Sequence, residues 1–136
     1  MEFNKMLKNA GLLATICAAC VAVSANADTT IFTASISSDG KVLAQNPQWI
    51  TGVEHNAQKD YFADYKINFK SDVYKNAPGF CSVSLTDSRS NDDIFYGQAR
   101  LGAMPKQSHV TVITQLAGKS GPAGDGSQNF MLLCIK

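Results

Sequence analysis

The sequence is poor in the residues from which most enzyme sites are built. Its 136 residues include two histidines, His55 and His109, and each reads as an exposed residue at a strand end. No Gly-x-Ser-x-Gly elbow occurs, and no spacing of His and Cys suits a metal site. A Ser-His-Asp site is recognised by geometry rather than by spacing, so the sequence gives an expectation only: a non-enzymatic protein without a cofactor. Charge of one sign is missing too. The formal net charge is +1, and the part after residue 27 has ten basic and ten acidic side chains, so nothing points to nucleic acid or an anionic membrane as a partner. Long apolar runs are absent as well. The run from Gly11 to Val23 has thirteen residues, whereas a bilayer core of about 30 Å needs on the order of twenty, so a membrane-spanning chain is not expected.

That short run nevertheless has a clear reading. Lys5 and Lys8 precede it, and Ser24-Ala25-Asn26-Ala27 follows, with small residues at the positions a signal peptidase reads. Residues 1–27 are therefore expected to be a cleaved signal peptide, which makes the protein secreted or periplasmic. Lipidation at Cys20 is the competing reading, but Cys17 stands where lipoprotein signals usually carry Leu. Residues 28–136 then form one domain of ordinary size. Two cysteines remain in it, Cys81 and Cys134. In an oxidising compartment two cysteines most simply form one disulfide. They lie 53 residues apart, and closing such a loop stabilises the fold by about 4 kcal/mol in the chain-entropy model.

The remaining signals are almost all of period two. Strands are expected over 31–37, 41–45, 49–55, 61–69, 80–86, 94–101, 109–116 and 130–136, with 56–59 as a connection. The clearest alternation sets Tyr61, Ala63, Tyr65, Ile67 and Phe69 against Phe62, Asp64, Lys66 and Asn68. In 80–86, Cys81, Val83 and Leu85 share one face, so the sulfur points to the core. The glycine-rich stretch 117–127 is expected to be a mobile loop. No helix of more than two turns is expected. The fold class is all-β: an antiparallel β-sandwich or jelly-roll-like single domain with one disulfide.

The last strand differs from the others. Phe130, Leu132 and Cys134 form one face, but Met131, Leu133 and Ile135 make the other apolar as well. Such a strand is covered on both sides, either centrally under another layer or at an interface between subunits, which makes Met131, Leu133 and Ile135 candidate interface residues of a homo-oligomer.

Three further patterns bear on chemistry. Asp87, Asn91, Asp92 and Asp93 supply oxygen donors for a calcium ion but lack the twelve-residue loop pattern, and Asx-rich turns also arise for conformational reasons. Asp60 and Asp64 form a carboxylate pair of the kind glycoside hydrolysis uses, though solvated strand charges are commoner. Gly118-Lys119-Ser120 resembles the end of a phosphate-binding loop, but Ile113 stands where the motif needs glycine. The aromatic residues are more suggestive. Trp49, Tyr61, Phe62, Tyr74 and Tyr96 are many for one small core, and Trp or Tyr beside polar loops is a platform for sugars or proteins. Trp49, Tyr61, Tyr96 and Arg89 are the candidate ligand-binding residues, while for Trp49 the core tryptophan of a sandwich is the favoured reading.

One resemblance spans most of the domain. Ala34-x-Ile36 with Gly40 and Val42, Gln48-Trp49-Ile50 with Val53, Asp64-Tyr65-x-Ile67-Asn68-Phe69, Ala77-Pro78 before Cys81, Val110-x-Val112-x-Thr114, and Asn129-Phe130 to Cys134 follow one another in an order similar to the small β modules of phage tail fibres and their relatives among bacterial exported proteins. The resemblance implies a compact sandwich, often trimeric, that binds or displays rather than catalyses, with no catalytic motif to carry over. The resulting expectation is an exported bacterial non-enzymatic binding module that recognises a glycan or a host or envelope protein through surface loops. The alternatives are a secreted effector with an unrecognised activity and a structural subunit of a surface assembly.

Overall fold

The computed structural model describes residues 29–88, 90–119 and 124–136. The expected signal peptide lies outside them. Eight strands and one short helix follow in the order β1 (Ile31–Ile36), β2 (Val42–Asn46), β3 (Ile50–Gln58), β4 (Phe62–Phe69), β5 (Phe80–Leu85), α1 (Asn91–Tyr96), β6 (Gly97–Leu101), β7 (His109–Leu116) and β8 (Phe130–Ile135). They form two four-stranded sheets, β2-β1-β8-β5 and β3-β4-β7-β6, and every pairing is antiparallel. The fold is a β-sandwich, as the period-two signals predict.

Alternation decides which faces meet. On β4, Ala63, Tyr65, Ile67 and Phe69 are buried and the residues between them are not. Phe32, Ala34 and Ile36 of β1, Phe130, Leu132 and Cys134 of β8, and Val110 and Val112 of β7 complete the same core. Cys81 and Cys134 are cross-strand partners in β5 and β8, and the bridge between them is formed. It ties edge strand β5 to β8 on the inner face, as the parity of Cys81 requires.

Trp49 lies just before β3 and is fully buried, which removes it as a surface platform. Its ring packs with Phe32, Phe69 and Tyr74 at centroid distances of 5.5, 5.1 and 6.4 Å. The indole Nε1 donates to Thr33 O at 3.0 Å, so the ring joins the two sheets without orphaning its polar atom. Gln45 Oε1 accepts from the backbone N–H groups of both Trp49 and Ile50 at 2.8 Å. One side chain thus satisfies the backbone where the chain crosses between sheets.

Three local expectations are corrected. Residues 56–58 belong to β3, because Asn56, Ala57 and Gln58 pair with Asp64, Ala63 and Phe62 of β4; on an edge strand, backbone pairing outweighs polar composition. Residues 94–96 are helical and only 97–101 form a strand. Ser90 caps that helix by accepting from Asp93 N at 3.1 Å, and Asp92 and Asp93 stand in its first turn, where the helix dipole favours them. His55 is not an exposed strand-end residue: its ring stacks on buried Tyr65 at 4.7 Å.

Candidate functional site

Because consecutive strands alternate in direction, the β1–β2, β3–β4, β5–β6 and β7–β8 connections all emerge at one end of the sandwich. This end gathers the Ser37–Lys41 turn, Lys59–Tyr61, the stretch from Thr86 through α1, and the stretch from Ala117 to Asn129.

These segments are laced together. Asn129 Oδ1 accepts from Ser38 N at 2.7 Å, and Tyr65 Oη donates to Ser38 O at 2.9 Å. Asp60, in the left-handed region at φ 59°, donates its backbone N–H to Gly124 O, and its Oδ1 accepts from Gly124 N at 3.2 Å. Lys119 Nζ reaches Asp92 Oδ2 of α1 at 2.6 Å. Thr114 Oγ1, fully buried, donates to Gly126 O at 2.7 Å. The described parts of the glycine-rich stretch are therefore tied on both sides, and only residues 120–123 of it lie outside the described residues. Within the turn, hydrogen bonds from Lys41 and then Ser37 hold the Asp39 carboxyl well below the usual carboxylate range, at about 2.

Glycine at 97 sets the seat of α1. A Cβ there would lie 2.2 Å from Asp93 O, 2.8 Å from Gln128 Oε1 and 2.9 Å from Leu85 Cδ1, so only glycine lets the helix end close onto β6. The helix itself buries none of its residues. Ile94 is 63% and Phe95 76% exposed, and Tyr96 is exposed beside them. A short helix that spends its apolar residues on solvent is not stabilised by them. Beside α1, Thr86, Asp87, Ser88, Asp93, Gln128 and Asn129 line a shallow polar notch with no enclosed volume. Small-molecule sites use cavities of roughly 300–1,000 Å³, and the notch is not of that kind.

The structure brings together part of what the sequence singles out. Tyr61 is exposed at the β3–β4 turn, with its ring edge-on to Phe62 at 4.9 Å, and Tyr96 is exposed on α1; both stand at the loop end. Trp49 and Tyr74 belong to the core at its other half, and Arg89 lies outside the described residues. Of the calcium candidates, Asn91, Asp92 and Asp93 are taken into the first turn of α1 and Asp92 is paired with Lys119; among the described residues no three His, Cys, Asp or Glu side chains converge as a metal site. Asp60 is held in the turn by Gly124, whereas Asp64 stands on the outer face of β4. Lys119 of the phosphate-loop match serves the ion pair with Asp92. Sequence reasoning missed Ile94 and Phe95. The Ser90-Asn91-Asp92-Asp93 capping signal was available to find the helix that presents them.

Each histidine has a serine beside it. His55 Nε2 is 3.0 Å from Ser127 Oγ, and His109 Nδ1 is 3.0 Å from Ser108 Oγ. His55 and Ser127 join β3 to the last connection over the Tyr65 ring. Among the described residues, no helix is long and apolar enough to cross a membrane. No family model, no curated protein and no solved structure matches the chain.

Proposed function

We propose that this is an exported binding module that engages a protein or glycan ligand through the loop end of the sandwich. The observation that carries the reading is the exposed Ile94-Phe95-Tyr96 run of α1, held in place by Gly97, Ser90 and Lys119. Aromatic side chains on a fixed support lose little conformational freedom on binding, which is why they dominate contact energies. Ile94 and Phe95 favour a protein surface of the host or the cell envelope. Tyr61, Tyr96 and the polar notch suit a sugar ring and its hydroxyls. Export follows from the residues 1–27 reading and accords with the disulfide. The role is the one implied by the resemblance to tail-fibre modules, binding or display. A glycan array and a pull-down from envelope and host fractions, each run with the native protein and with Phe95→Ser, test the reading: a ligand held by the native protein and lost by the variant supports it.

A second reading, a secreted effector with hydrolytic activity, draws on the contact between Ser127 and His55. Labelling of Ser127 by a fluorophosphonate probe tests it, and an unlabelled protein removes it.

A further inference from the structure

The two outer faces of the sandwich differ in kind. The outer face of β3-β4-β7-β6 is a charged, hydrogen-bonded surface: Glu54 Oε1 accepts from Lys66 Nζ at 3.1 Å and from Asn68 Nδ2 at 2.9 Å, and these contacts, that of Asn68 first, hold its carboxyl below its ordinary range. Asp64, Arg100 and Gln115 continue it. Among the described residues, the strands of the sheet β2-β1-β8-β5 contain no charged side chain. Register places Ile31, Ile135 and Phe80 side by side across β1, β8 and β5; the next rung is Thr33, Leu133 and Ser82, and the third is Ser35, Met131 and Ser84. Asn46 and Ala44 extend the second and third rungs onto β2. Ile31 is 53%, Phe80 56% and Met131 51% exposed.

Thus β8 lies inside its sheet, between β1 and β5, and among the described residues its outer face is left uncovered, so placement within the sheet does not account for Met131, Leu133 and Ile135. We infer that a second copy of this chain covers this face, the two sheets packing face to face about a two-fold axis. This goes beyond the loop-end reading and uses none of its residues.

Three properties select a second copy. In an isologous contact the patch must complement itself, so any charge within it needs an opposite charge within the same patch; the strands of this face contain neither sign. An anionic membrane would call for Lys or Arg around the apolar row, and the three rungs supply neither. The size also fits. Four strands about 4.8 Å apart, six residues long at about 3.4 Å per residue, span roughly 19 by 20 Å. With protruding side chains this is about 600 Å² per copy, or about 1,200 Å² per pair, the lower bound of specific interfaces.

Light scattering on the disulfide-bonded protein lacking residues 1–27, from about 1 to about 500 μM, tests the inference. The expected mass rises from one chain to two across the series. Leu133→Lys, at the centre of the face, and Ser82→Lys, on its exposed side, each put a charge into a face that offers no opposite charge to pair it, so both are expected to stay at one chain throughout, a two-fold drop in mass at the top concentration. Ser82 is already exposed, so that variant folds, and unchanged Trp49 emission verifies it. A native protein that stays at one chain, a three-chain mass, or a two-chain mass that survives Ser82→Lys overturns the inference.

Discussion

Cys81 and Cys134 face each other directly across β5 and β8, with Cα atoms 4.1 Å apart, and between them close a loop 53 residues long. The bridge therefore acts on the unfolded chain over a long span while fixing only one local pairing in the native fold. Closure of such a loop is worth about 4 kcal/mol, against about 5–15 kcal/mol for a whole domain. Denaturant titration of the paired Cys81→Ala and Cys134→Ala variant is expected to show a loss of about 4 kcal/mol, and thiol titration of the denatured 28–136 protein is expected to find neither Cys81 nor Cys134 free.

The seat of α1 is sterically exacting at one position. Gly97→Ala would push a methyl group into Asp93 O, so it is expected to cost about 1–3 kcal/mol through overpacking. Ser90→Ala removes only the cap, at about 1 kcal/mol. Hydrogen exchange separates the two: Ser90→Ala loosens the helix amides alone, whereas Gly97→Ala also loosens the start of β6.

Tyr74 is buried in the aromatic cluster, and its hydroxyl has no hydrogen-bond partner among the described residues. Burial pushes its ionisation up to about 12. The unfolded chain loses this proton near pH 10, so stability is fully present below pH 10 and declines as pH rises toward about 12. Burial raises Tyr65 in the same direction. Tyr74→Phe removes an unsatisfied polar atom and keeps the ring, so it is expected to leave stability at pH 7 unchanged or raised by about 1 kcal/mol. Thermal melts from pH 9 to 12 should show a shallower alkaline decline in the variant.

The core was legible because alternation fixes parity. Tyr65, Ile67 and Phe69 on β4 and Cys81 and Cys134 on their strands point where period two sends them. What was not legible is what pairing and capping decide. Nothing in the composition of Asn56-Ala57-Gln58 says that β4 continues opposite it. The 94–101 stretch reads as one strand by composition, but the Ser90 cap starts a helix there, and Ile94 and Phe95 lie exposed on it. Trp49 carried two readings in the sequence, and the chance for its indole to reach Thr33 O across the sheets resolved them. The loop end itself depends on strand direction, which no single segment encodes.

The most direct test of the account is retention of a ligand from the glycan array or the envelope and host fractions by the native protein, measured beside Phe95→Ser, which changes an exposed side chain and leaves the core intact. The account predicts a ligand bound by the native protein and held at least tenfold more weakly by the variant, about 1.4 kcal/mol. A ligand held equally by both, or no ligand in either format, contradicts it.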